Sequence, residues 1–305
     1  MFRLAALGLL VFLPWNALGA MPLGHCASSC FSGGRFGTVP AADTEAGPAA
    51  EVSERVRSED SQPEAEAQSP PKVLVYSRTA GFRHASIPDG IAALQALGTA
   101  HGFSVVATED PNHFTDETLD QYAVVLFLST TGDILDEEQQ AAFERFIAKG
   151  RGFVGIHAAA DTEYDWPWYG RLVGGYFKSH PPVQPAELRV VDRDHPATAH
   201  LPEVWHRTDE WYNYRQNPRG RVRVLLELDE STYKNGSMGD DHPIAWCHEF
   251  GGGRAFYTGG GHTRESFAEP LFLDHLLGAI RWAAGGEVAA SKAECVTDDS
   301  EFIVK

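Results

Sequence analysis

The sequence predicts an α/β domain, a parallel sheet covered by helices on both faces. Three observations predict it. From residue 72 onward, short apolar runs alternate with helical stretches. The runs are almost continuously apolar, which suits strands buried on both faces. The helical stretches carry their own start and stop residues.

Taken in order, "KVLVYS" (72–77) reads as a strand. "PDGIAALQALGTAHG" (88–102) reads as a helix, with Ile91, Leu94 and Leu97 on one face and Gly102 past its end. "FSVVATED" is a second strand, "DETLDQY" a short helix, and "AVVLFLS" (123–129) a fully buried strand. "DEEQQAAFERFIAKG" (136–150) is a helix with Asp136 as its cap, Gln139 three residues on, and Gly150 at its close. "GFVGIH" follows as a strand. Later strands are "ELRVVD", "RVRVLLELD", "PIAWCHEF" and "RAFYTGG", before a closing helix at 269–285.

The flanks differ from this core. Residues 1–20 have a basic start at Arg3, an apolar run Leu4–Leu13 too short to span a bilayer, and small residues near Ala17–Ala20. That pattern predicts a signal peptide and a secreted or periplasmic protein. His25 before Cys26 argues against a lipoprotein anchor. Residues 21–71 form a linker, rich in Ala, Gly, Pro, Ser and Glu from residue 33 on and expected to be disordered. Residues 286–305 are a weakly patterned tail, expected to be flexible, leaving one domain at 72–285. The net charge of −17 argues against nucleic acid as partner, and no stretch predicts a membrane span. Cys247 sits in an apolar strand and reads as a small buried hydrophobe.

Ligands of open parallel sheets bind beyond the carboxyl ends of the strands. Arg83 and His84 follow the first strand, Thr130 and Thr131 the third, and His157, Asp161 and Glu163 the fourth. His262 follows the last. A lone histidine at such an end is commonly structural, but three at one sheet edge point to a site. "WPWYG" and "DEWYNYR" place Trp166, Asp209, Glu210 and Tyr212 in mixed aromatic and acidic blocks, a composition that suits sugars. The histidines before proline, His180, His195 and His242, read as turn formers, with His180 and His242 as candidate rim contacts.

The blocks "GFRHASI", "STTGD", "GFVGIHAAADTEYDWPWYG", "HPPVQ", "DHPATAHLP", "DEWYNY" and "HPIAWCHEFGGGRAFYTGGGHT" together resemble the ThuA-like family, named for trehalose utilisation. The resemblance covers 72–285 in order. It implies a flavodoxin-like fold of the class I glutamine amidotransferase-like type. In true amidotransferases the elbow after that strand carries a nucleophilic cysteine, and a late-strand histidine activates it. Here the elbow residue is His157, and His262 falls at the partner position. Thiol acyl transfer is therefore lost.

The resemblance also implies sugars oxidised at carbon 3, whose proton beside the ketone is acidic. His157 and His262 are then acid–base candidates, with Asp161 and Glu210 as carboxylate partners. Arg83, His84, Thr130, Thr131, Glu163, Trp166, Asp209 and Tyr212 are candidates for substrate binding. A divalent metal is the one cofactor considered. No dinucleotide fingerprint is present, so a separate sugar oxidoreductase is expected to supply the substrate. Two readings stand beside this isomerase, epimerase or lyase: a non-catalytic carbohydrate-binding module, and a metal-dependent hydrolase.

Overall fold

The computed structural model describes residues 71–285. The predicted signal peptide, the tail and the linker, apart from Pro71, lie outside the described residues.

The first half alternates as the apolar pattern predicts: β1 (Lys72–Tyr76), α1 (Ile87–His101), β2 (Ser104–Thr108), α2 (Asp116–Leu119), β3 (Val124–Leu128), α3 (Glu137–Ala148) and β4 (Gly152–Ile156). The second half contains α4 (Pro167–Val173), β5 (Phe177–Ser179), β6 (Gln184–Val190), β7 (Val204–Asp209) and β8 (Asn213–Tyr214). It ends with β9 (Arg223–Leu228), β10 (Pro243–Phe250), β11 (Gly253–Thr258) and α5 (Pro270–Ala283).

Local signals explain the helix ends. Asp136 and Gln139 form a reciprocal capping box at the start of α3. Gly102 leaves α1 at φ +76, a left-handed conformation that suits glycine. The strands β3 and β4 are buried throughout. They anchor a ring cluster in which Phe127 stacks on Phe143 at 5.5 Å and on Tyr169 at 5.7 Å. Truncating one such ring to alanine costs about 3–5 kcal/mol.

The main sheet runs β2-β1-β3-β4-β11-β10-β9-β6-β7. Its first five strands pair in parallel, the predicted architecture. On its helical layers α1 meets α5 and α2 meets α3. The other four strands extend the sheet by antiparallel pairing. β5 and β8 pair as a separate ribbon. Strand β7 was not foreseen in the sequence because it alternates exposed and buried positions and carries His206, Arg207 and Asp209. The antiparallel half curls: Asp209, at the far edge of the sheet, accepts hydrogen bonds from Gly261 and His262, just past β11. That curl brings the end of β7 to the ends of β4 and β11.

Candidate active site

The site begins at an elbow. β4 stops at Ile156, and His157 turns the chain into a short 3₁₀ turn, His157–Asp161, at φ +51. A non-glycine residue in the left-handed region is strained, and such strain concentrates at functional positions. Two bonds hold it there. Tyr257 Oη donates to the His157 carbonyl at 2.8 Å, and His157 Nδ1 donates to the Gly259 carbonyl at 2.9 Å. A carbonyl only accepts, so Nδ1 carries a hydrogen, and Nε2 points into the site.

That nitrogen faces two other groups. His157 Nε2 lies 3.2 Å from His262 Nδ1 and 3.5 Å from Glu210 Oε2, and His262 Nδ1 lies 3.1 Å from Glu210 Oε2. His84 completes the group, its ring edge-on to His157 at 4.8 Å and to His262 at 5.0 Å. Each of the four residues offers a ligand atom within 4.8 Å of the others. His84 Nδ1 is buried with no hydrogen-bond partner among the described residues. Tyr212 covers the His157 ring at 4.2 Å.

The electrostatics follow from this packing. Burial, then the neighbouring His157 and His262, lowers His84 to about 3, so it is a neutral imidazole. Burial alone would raise Glu210, but the bonds and charges of His157 and His262 outweigh it and hold the carboxyl down to about 2. Burial likewise pulls His262 down, and its bond to Glu210 outweighs that and raises it.

Asp209 positions two members of the group at once. Its side chain, fully buried, accepts from the backbone N–H groups of Glu210, Gly261 and His262 at 3.0, 2.8 and 3.1 Å. Arg207 lies 3.4 Å from Asp209 and is held by Glu269 at 2.7 Å. The glycine run before His262 fits this arrangement. Gly261 sits at φ +109, and a Cβ on Gly260 would come within 2.5 Å of Arg207.

His180 is the further member that sequence reasoning set aside as a turn former or rim contact. Its Nδ1 donates to Glu210 Oε1 at 2.9 Å, on the oxygen that faces away from His157. The signal was its place in the "HPPVQ" block, but only the fold brings it to Glu210. Asp161 closes the turn that His157 opens. Burial raises its carboxyl, and Tyr164 Oη donates to it at 2.5 Å.

The other predicted site residues make contacts within the fold. Glu163 accepts from the Ile134 and Leu135 amides, both at 2.8 Å, and from Gln140. Trp166 is buried, stacked on Trp168 and bonded to Glu144. Thr130 pairs with Thr162 at 2.9 Å. Thr131 ties down the loop after β1, donating to the Phe82 carbonyl at 2.9 Å. Arg83 reaches back to Ser77 and Glu109.

The donor set fits a transition-metal ion. Two ligands bound at about 2.0–2.1 Å in tetrahedral geometry stand about 3.3 Å apart. The 3.1, 3.2 and 3.5 Å separations of Glu210, His157 and His262 bracket that value. A nitrogen-rich set with one carboxylate suits zinc or a neighbouring transition metal better than calcium or magnesium. The His157 bond to Gly259 is the outer-shell bond that metal-ligating histidines commonly make.

Comparison with known proteins agrees with this fold. A ThuA-like protein from Bacteroides uniformis is 28% identical, covering 73% of this chain and 95% of its own, with a TM-score of 0.61. A ThuA-like protein from Parabacteroides merdae is 23% identical over 73% of this chain and 93% of its own, with a TM-score of 0.62, and supports the fold alone. Comparison with curated proteins gives no match. The family model for trehalose utilisation matches residues 72–283, essentially the whole described domain, and the chain belongs to the ThuA family.

Proposed function

We propose that this chain is a carbohydrate-active enzyme whose centre is a divalent metal held by His84, His157, Glu210 and His262. The observation that carries the reading is the convergence of ligand atoms from His157, His262 and Glu210 at ligand-to-ligand spacing. When bound, the metal would polarise a carbonyl or hydroxyl oxygen of the substrate. The substrate class is a sugar or glycoside oxidised at a ring carbon, by analogy with the trehalose-utilisation family.

The protein's own groups supply the proton chemistry. With His157 and His262 committed to the metal, Asp161 is the base at the elbow. Burial raises its carboxyl, and the Tyr164 hydroxyl orients it. His180, half-exposed and pinned through Nδ1 to Glu210, is placed to pass a proton to solvent. Removal of the proton beside a ketone leads to isomerisation, epimerisation or elimination of a glycosidic oxygen. The oxidation itself belongs to a separate oxidoreductase. The leader read at residues 1–20 supports export, and among the described residues no helix is long and apolar enough to cross a membrane.

The test is metal analysis coupled to NMR in D₂O with 3-keto-trehalose. The reading expects one transition-metal ion per chain, and deuterium entry beside the ketone or a new sugar product, both lost in His157→Ala. Full exchange by rigorously metal-free protein would overturn the metal role. Metal binding without any sugar turnover or binding would overturn the carbohydrate role.

A further inference from the structure

Phe82 stands out among the large apolar side chains, at 67% exposed. It lies in the loop after β1, two residues before His84. Its ring meets the His84 ring edge-on at 4.9 Å, and His84 in turn meets His157 and His262. A phenylalanine left in water forgoes the hydrophobic gain of burial.

The exposure does not come from a loose loop. The Ala80 amide donates to the Thr131 carbonyl at 2.7 Å, and the Gly81 amide to Thr131 Oγ1 at 3.2 Å. Thr131 Oγ1 donates to the Phe82 carbonyl at 2.9 Å. Arg83 is fastened on the other side to Ser77 and to Glu109, at 3.3 and 2.6 Å. The backbone before Phe82 and the Phe82 carbonyl are tied to Thr131, so its ring is held out beside the histidine cluster.

We infer that Phe82 is the stacking platform for a second sugar ring, next to the unit bound at the histidine–carboxylate cluster. The inference rests on the carbohydrate reading above and names a subsite within it. The size of the surface selects the occupant. Among the described residues, the other exposed large apolar side chains, Val106, Val183, Val191 and Val204, lie on other segments of the chain. A single aromatic ring is far smaller than a protein interface. It matches the apolar C–H face of one pyranose, and aromatic rings present such a flat surface with little conformational freedom to lose. The substrate is therefore at least a disaccharide or an aryl glycoside, with its non-reacting ring on Phe82.

The experiment uses the full chain loaded with zinc and measures binding of 3-keto-trehalose, with two rings, and 3-keto-glucose, with one. Phe82→Ala is expected to weaken the disaccharide about tenfold and the monosaccharide less than about twofold, with zinc content unchanged. Phe82→Trp is expected to restore the disaccharide. Unchanged disaccharide affinity in Phe82→Ala would overturn the platform while leaving the carbohydrate reading in place. Equal losses for both sugars, or loss of zinc, would also overturn it, by showing that Phe82 only supports the cluster. If the unaltered protein binds zinc but neither sugar, the carbohydrate reading itself falls and takes the platform with it.

Discussion

Two buried histidine–glutamate clusters share Tyr212, and they differ in what their donor atoms face. In the first, the Tyr212 ring lies on His157, whose Nε2 points at His262 and Glu210. In the second, the Tyr212 carbonyl accepts from His242 Nε2 at 2.8 Å, and His242 Nδ1 lies 2.8 Å from Glu230 and 3.0 Å from the Tyr233 hydroxyl. Glu230 is further satisfied by the amides of Met238 and Gly239. The second cluster is tied to the backbone at Tyr212, Met238 and Gly239 and closes a loop onto β8. The first gathers its atoms from the ends of separate strands onto one point. Composition alone does not separate them, since both are histidine plus carboxylate. A site is made by ligand atoms from separate strand ends that converge on one point.

The largest expected contrast comes from removing one histidine from each. His157→Ala is expected to lower metal affinity by more than the ~10–100-fold typical of outer-shell changes, because it deletes a ligand. His242→Ala is expected to leave metal stoichiometry intact and to cost about 3 kcal/mol of stability, by unpairing Tyr212 and Glu230. Metal titration and denaturant unfolding of both variants check this. A metal-binding loss in His242→Ala equal to that in His157→Ala would erase the distinction.

Asp209→Asn sharpens the comparison from the supporting shell. The isosteric amide keeps the volume but weakens the bonds to the Glu210, Gly261 and His262 amides and the pairing with Arg207. The expected result is about 3 kcal/mol of lost stability, as when a buried ion pair is broken, with metal affinity down ~10–100-fold. Stability loss with metal affinity unchanged would assign Asp209 to the fold alone.

The sequence made the first cluster partly legible. The rule that ligands gather at strand ends pointed to His84, His157 and His262, because the strands of the parallel half are apolar runs with clear ends. Glu210 came from its aromatic and acidic block. What stayed hidden depends on long-range geometry. Glu163 and Thr130 looked like site residues because a sequence does not say which polar atoms find backbone or side-chain partners, and these two do. Asp209 looked like a substrate contact and is fully buried instead. The curl of the antiparallel half, which brings β7 back over the end of β11, has no local signature. His180 was hidden for the same reason.

A third set of histidines tests whether one orphaned nitrogen is enough to make a site. His195 Nε2, His248 Nδ1 and His275 Nε2 are each buried without a partner, yet among the described residues none belongs to a metal-ligating group. Burial lowers His195 and His248 to about 4 and His275 to about 3. The unfolded chain takes up protons near pH 6.5, whereas the folded chain refuses them until about pH 3–4. Stability is therefore fully present above pH 6.5 and is lost as pH falls through that window. At its steepest, three such groups give about 4 kcal/mol per pH unit. Urea midpoints measured from pH 7 to 4.5 check it. His195→Gln should remove about one proton from the slope and leave metal content alone, and an unchanged slope would show that His195 is already protonated in the fold.

The smallest effect belongs to Arg83, which stands next to His84 in sequence but reaches away from the cluster. Its guanidinium pairs with Glu109, and both side chains are about half exposed. Exposed pairs of this kind contribute about 0.2–1 kcal/mol, and salt screens them. Arg83→Ala should therefore change stability by less than about 1 kcal/mol, less still at high salt, and leave metal binding as it was. Thermal unfolding at low and high ionic strength, with metal titration alongside, makes the measurement. A large loss of metal would mean that the pinning of the loop by Arg83 holds His84 in place, and the boundary of the site would then run through the Ser77 and Glu109 contacts rather than stopping at His84.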